Sequence, residues 1–193
     1  TETNTIDYVS INSTGNASDW GDLTLARIGL AGCGNAVRSV FSGGGGGGAT
    51  NVMDYITYSS QGNAVDFGDT SGTDSSYNWS AASNSIRGVI TRTDDIYYIT
   101  IATTGNTSTF GNWGENRGDG AMSANSTRAL IFAGVSGQQT TDYLTIATTG
   151  SAASFGNCSG LVGRASSAAS DTRAILFSGR DTSGFSRNEI EYV

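Results

Sequence analysis

The sequence predicts an all-β fold built from a repeated, four-stranded unit of about 45 residues. Three observations carry that expectation. The hexamer TIATTG stands at 100–105 and returns at 145–150. A tyrosine-centred segment recurs as IDYVSI (6–11), MDYITY (53–58), IYYITI (96–101) and TDYLTI (141–146), with a truncated IEYV at 190–193. Charged residues are only 14% of the chain, so its polar side chains are chiefly Ser, Thr, Asn and Gly, which suit turns and strand faces better than helix interiors.

Each unit reads as strands in order. IDYVSI alternates with period two, setting Ile6, Tyr8 and Ser10 on one face and Asp7, Val9 and Ile11 on the other. STGN and TTGN supply turn chemistry behind it. An aromatic-Gly step begins a second strand at Trp20, Phe67, Phe110 and Phe155. RIGLAGC (27–33) resembles a third strand, and an Arg-led apolar run a fourth, led by Arg38, Arg87, Arg128 and Arg173. The spacing from Tyr to Arg is 30, 32, 30 and 30, whereas that from Arg to the next Tyr is 17, 11, 15 and 19. Length variation therefore sits in one connection, which includes the glycine run at 43–48 and reads as a surface loop. The repeats fall at about 5–51, 52–95, 96–140 and 141–189, within one repeat domain of 1–193, and a fifth copy starts at 190–193.

The residue types that are missing bound the chemistry. The chain has no His and no Lys, and all ten basic residues are Arg. Ser-His-Asp and Cys-His catalysis and His-based metal sites are thereby excluded. A net charge of −7 argues against nucleic acid and anionic lipid as partners. No apolar run approaches 18 residues, so no membrane insertion is expected, and TETNT has no signal-peptide character. No cofactor is implied. Cys33 and Cys158 have no metal-ligand spacing and read as two buried, unpaired thiols.

A sheet of four short strands must be covered by neighbours, and radial stacking into a propeller does this with units of this length. The unit resembles the kelch repeat: VFSGG (40–44), Tyr55, Phe67 and Arg87 match its apolar run, Tyr, spaced aromatic and Arg, as do LIFAG (130–134), Tyr143, Phe155 and Arg173. The sequence departs from that pattern in keeping Gly-Gly only after the first run and Phe at three of four Trp positions. It is also similar to kelch-type repeats in structural proteins of marine bacteriophages. That resemblance implies a kelch-like β-propeller of about 45-residue blades, four repeats plus one extra strand, in a non-enzymatic virion-surface or tail-fibre component. Other virion or surface proteins and a host-surface glycan or protein would be its partners, within an oligomeric assembly. The alternatives are a secreted or cell-surface adhesion or carbohydrate-binding propeller and a glycan hydrolase, which would need two facing carboxylates. Closing four units into a ring sets TIDYV against EIEYV for one place, so either one copy pairs outside the ring or 1–193 is part of a longer chain; the second is expected, because Val193 falls in mid-strand.

The repeated Arg and Tyr residues read as scaffold, the Arg pairing with carboxylates or loop carbonyls between units. Features outside the repeat are the better site candidates. Tyr77 and Trp79 stand in DTSGTDSSYNWSAASN (69–84), and Trp113 in FGNWGENRGDG (110–120). Their readings are exposed aromatics for ligand binding, or loop filling. RGD at 117–119 is a weak attachment motif, and Asp69 with Asp74 is a weak Ca²⁺ candidate whose spacing matches no EF-hand. Sequons at Asn12, Asn16, Asn78, Asn106, Asn125 and Asn157 arise easily in such a composition.

Overall fold

A computed structural model describes residues 2–193 except 46–49, 75–78, 133, 135–137, 161–162, 178, 182 and 187, and the side chains of 73 and 74. Among the described residues there is no helix, and the strands form five antiparallel sheets. A two-stranded sheet pairs β1 (Thr5–Tyr8) with β2 (Ser18–Asp22). Three four-stranded sheets follow. The first joins β3 (Ala31–Gly34), β4 (Arg38–Ser42), β5 (Thr50–Thr57) and β6 (Val65–Asp74) in chain order. The second joins β7 (Trp79–Ser83), β8 (Arg87–Arg92), β9 (Asp95–Thr100) and β10 (Ser108–Asn112). The third joins β11 (Ala121–Ala124), β12 (Arg128–Phe132), β13 (Thr140–Thr145) and β14 (Ala153–Asn157). The last holds β15 (Ser166–Ala169), β16 (Ala174–Phe177) and β17 (Ile190–Tyr192).

The repeat expected from sequence and the sheet differ in phase. Each complete sheet takes its first two strands from one Tyr-anchored unit and its last two from the next. Arg and Tyr strands are partners across a hairpin, with Val40 opposite Tyr55, Val89 opposite Tyr98 and Leu130 opposite Tyr143. The variable Arg-to-Tyr connection is therefore the hairpin inside a sheet. At its shortest it is the turn Thr93–Asp94, with Thr93 at φ 53°. Half of the glycine run (46–48) lies outside the described residues, and Gly45 pairs with Ile28 in an isolated bridge. The third strand starts at Ala31 rather than at Arg27, because Arg27 is drawn away into a buried ion pair.

The apolar cores lie between successive sheets. Val40, Met53 and Phe67 face Ile90, Ile99 and Ile101 from the next sheet. Val89, Ile96 and Phe110 likewise face Ile131, Leu144 and Ile146. A third cluster joins Phe132 to Ala174 and Leu176, and a fourth seats Leu23 and Trp20 against Ile56 and Phe41. Period-two alternation gives each sheet two partly apolar faces, so burial requires a neighbour on each side.

Candidate functional site: the sheet-to-sheet joints and the shared cavity

Three contacts recur where one sheet meets the next. The first belongs to the repeated Arg. Arg38, Arg87, Arg128 and Arg173 hold their guanidinium groups 4.6–5.0 Å from the ring centres of Tyr55, Tyr98, Tyr143 and Tyr192 on the adjacent strand. The tyrosines in turn meet Phe67, Phe110 and Phe155 edge-on, at centroid separations of 5.9–6.1 Å. Arg38 Nη1 donates to the carbonyls of Ile101 and Ala102 at 3.4 and 3.0 Å, and Arg87 Nη1 to those of Ile146 and Ala147 at 3.0 and 2.9 Å. The expected loop-carbonyl partners are present for these two. The cation–π stack was not anticipated, although its signal, an Arg 30–32 residues beyond each Tyr and 11–19 before the next, was in view.

The second contact is a plug. Ile101 and Ile146, three residues past their tyrosines, are 0% exposed and fill the space between sheets. The third explains the aromatic-Gly step. A Cβ on Gly68 would lie 2.6 Å from the carbonyl carbon of Gly105, and one on Gly111 would lie 2.2 Å from Gly150 O. This close approach lets Gly105 N donate to Phe67 O at 2.7 Å and Gly150 N to Phe110 O at 2.9 Å. Side-chain amides add to it: Asn106 Oδ1 accepts from Asp69 N at 2.9 Å, and Asn63 Oδ1 from Asp22 N at 3.1 Å.

Two buried ion pairs tie the segment before a sheet's first strand to the third strand of the same sheet. Arg27 Nη1 meets Asp54 Oδ2 at 2.7 Å with both side chains fully buried, and Thr24 Oγ1 donates to Asp54 Oδ1 at 2.5 Å. Arg117 pairs with Asp142 in the same way and donates to Gln138 Oε1 and Thr140 O, each at 3.0 Å. Their sequence signal is a fixed spacing: Arg27 and Arg117 each stand 11 residues before a repeated Arg. The pairing also takes the Arg out of the RGD tripeptide, leaving Arg117 buried and unable to reach a receptor.

The tryptophan candidates are not surface groups. Trp79 is 6% exposed and opens β7, lying over Gly43, where a Cβ would come within 2.4 Å of its ring. Trp113 is 5% exposed and donates from Nε1 to Thr91 Oγ1 at 2.7 Å. It occupies the repeat position of Leu23, Thr70 and Cys158, all of them buried. Of the two readings the sequence left open, the burial of these two indoles matches packing and not exposed aromatics: both fill space between or within sheets. Tyr77 lies outside the described residues.

Strands β3, β7, β11 and β15 line one open cavity of about 230 Å³, whose lining includes Ala31, Trp79, Ser80, Ala121, Ser166 and Ser167. Ser80 Oγ donates to the Gly120 carbonyl at its rim. Among the described residues no group of three or more His, Cys, Asp or Glu is placed to hold a metal ion. Cys33 and Cys158 are both free and buried. Burial pushes the Cys33 thiol up to about 12 and moves that of Cys158 in the same direction. Among the described residues no helix is long and apolar enough to cross a membrane. No protein-family model matches the chain, and no curated protein matches it.

Proposed function

We propose that this chain is a non-enzymatic binding and assembly module: a kelch-like β-propeller on a virion surface or tail fibre, presenting variable loops to host-surface ligands or to other virion proteins. The observation that carries the reading is the cavity shared by the first strands of four successive sheets, the relation expected of blades arranged radially. Arg38 and Arg87, together with Gly21, Gly68 and Gly111, are engaged in joining sheets, so individuality falls to the hairpins and to the 69–84 segment. The acidic, lysine-free, Ser/Thr/Gly-rich composition suits the setting. Particle images of the purified chain test the architecture: a disc with a central channel is expected, and an elongated stack contradicts it. Binding to intact bacterial cells or to a glycan array tests the role. Saturable binding is expected, and none to either surface removes the host-ligand reading.

A further inference from the structure

The two copies of TIATTG have more in common than the joints require. Ile101 and Ile146 fill the space between sheets, and Gly105 and Gly150 accept the close approach of Gly68 and Gly111. Ala102, Thr103 and Thr104 are exposed, as are Ala147, Thr148 and Thr149, yet the two triplets are identical. The turn itself does not demand them. In the unit before, YSSQG (58–62) closes with the bond Ser60 N to Thr57 O at 3.1 Å. Thr103 N makes the same bond to Thr100 O, and Thr148 N to Thr145 O, each at 3.1 Å.

A recess of about 180 Å³ opens at the first of these turns, between Phe67 of the first four-stranded sheet and Tyr98 of the second. Thr103, Thr104 and Asn106 line it. Asn106 is held in place through Oδ1, which accepts from Asp69 N at 2.9 Å. Among the described residues its Nδ2 and Thr104 Oγ1 have no protein partner. Gly105 lines the recess too and leaves open space where a Cβ would stand. No charged side chain is part of the lining. The recess therefore offers aromatic rings, hydroxyls and an amide donor, with no fixed charge to hold an ion. That set suits the hydroxyl groups and the apolar ring face of a neutral sugar.

We propose that this recess and its counterpart beside Tyr143, Thr148 and Thr149 each take one residue of a neutral saccharide, so that one chain holds a repeating glycan at two places. The counterpart keeps the tyrosine and the three threonines, and Gly150 N donates across the boundary to Phe110 O as Gly105 N does to Phe67 O. It has Ser151 in place of Asn106 and so lacks the amide donor, which makes it the weaker of the two. Carried on one chain, the two sites gain from effective concentration on a surface that repeats the sugar. The source of the sugar rests on the host-ligand reading above, whereas the site stands on the turn and its recess.

Amide chemical shifts of the isotope-labelled chain, titrated with maltose, cellobiose, lactose, mannobiose and diacetylchitobiose, test the site. Saturable shifts at Thr103–Asn106 are expected with at least one disaccharide, and at Thr148–Ser151 at higher concentration. Shifts at neither turn with every disaccharide, or shifts confined to other residues, overturn the proposal. Thr104→Arg fills the recess from an exposed position, so the fold is expected to hold. It is expected to abolish the shifts at 103–106 and to leave those at 148–151, and unchanged shifts at 103–106 overturn the assignment. Thr104→Arg with Thr149→Arg is expected to weaken binding to intact bacterial cells by roughly 100-fold, as loss of two-site attachment does. Cell binding unchanged in that double variant overturns the inference and leaves the host-ligand reading standing. Sugar-induced shifts in a parent chain that binds no cells remove that reading and leave the site.

Discussion

The Arg87 guanidinium lies 4.6 Å from the centre of the Tyr98 ring while donating to two carbonyls of the next sheet. One side chain thus ties its own hairpin to its neighbour. A lysine offers a point charge in place of the planar fork, so it cannot stack and reach both carbonyls in the same geometry. Arg87→Lys is expected to lose about 1–2 kcal/mol of stability, and Arg87→Ala slightly more. Urea unfolding monitored by circular dichroism checks both, and a loss below ~0.3 kcal/mol for Arg87→Ala contradicts the role.

Much of this arrangement was legible in the sequence, and the part that was not has a physical reason. Period two and the fixed Tyr-to-Arg spacing identified the strands, because both reflect the pleat and its burial. They did not fix the phase of the sheets, since an unbroken array of antiparallel strands looks the same wherever a sheet begins. Local composition left Trp113 open between an exposed and a packed reading because its neighbours are Gly, Asn and Glu, whereas its repeat counterparts Leu23 and Cys158 are apolar. Aligning by repeat position, rather than by local composition, would have placed it inside. The buried pair Arg27–Asp54 was not legible because its partners are 27 residues apart, one before β3 and the other on β5.

That pair gives the second prediction. Removing one member leaves a buried, uncompensated charge, and Asp54→Ala is expected to cost about 3–5 kcal/mol. Replacing both, Arg27→Met with Asp54→Leu, is expected to cost much less. Equal losses for the single and double variants, measured by chemical denaturation, would show that the pair does not act as a unit.

Glycine substitution separates close approach from loop freedom. Gly68→Ala drives a Cβ to 2.6 Å from the Gly105 backbone at φ +137°, whereas Gly32 has open space in its Cβ direction. Gly68→Ala is expected to lower Tm by roughly 5–10 °C, as a strained and overpacked site does. Gly32→Ala is expected to change it by less than ~2 °C. Comparable shifts would remove the sheet-to-sheet contact as the explanation.

The thiols predict a pH dependence. The Cys33 pKa is raised to about 12 in the folded chain, from 9.0 for a free thiol. The unfolded chain therefore ionises first as pH rises, and the stability associated with the neutral thiol is present below pH 9 and lost between there and about 12. Cys33→Ala is expected to show a shallower decline over that window. An identical slope in variant and parent would contradict the burial of this thiol.

The central claim is that the repeated residues join neighbouring sheets, and the amides of Gly105 and Gly150 report on it directly. Each donates across a sheet boundary, to Phe67 and to Phe110. Hydrogen exchange resolved by residue is expected to find both protected to nearly the same degree as the strand amides of Tyr98 and Tyr143. Exchange of Gly105 and Gly150 at the rate of unstructured loops, with the strands still protected, would mean that the sheets form without the joints and would contradict the account.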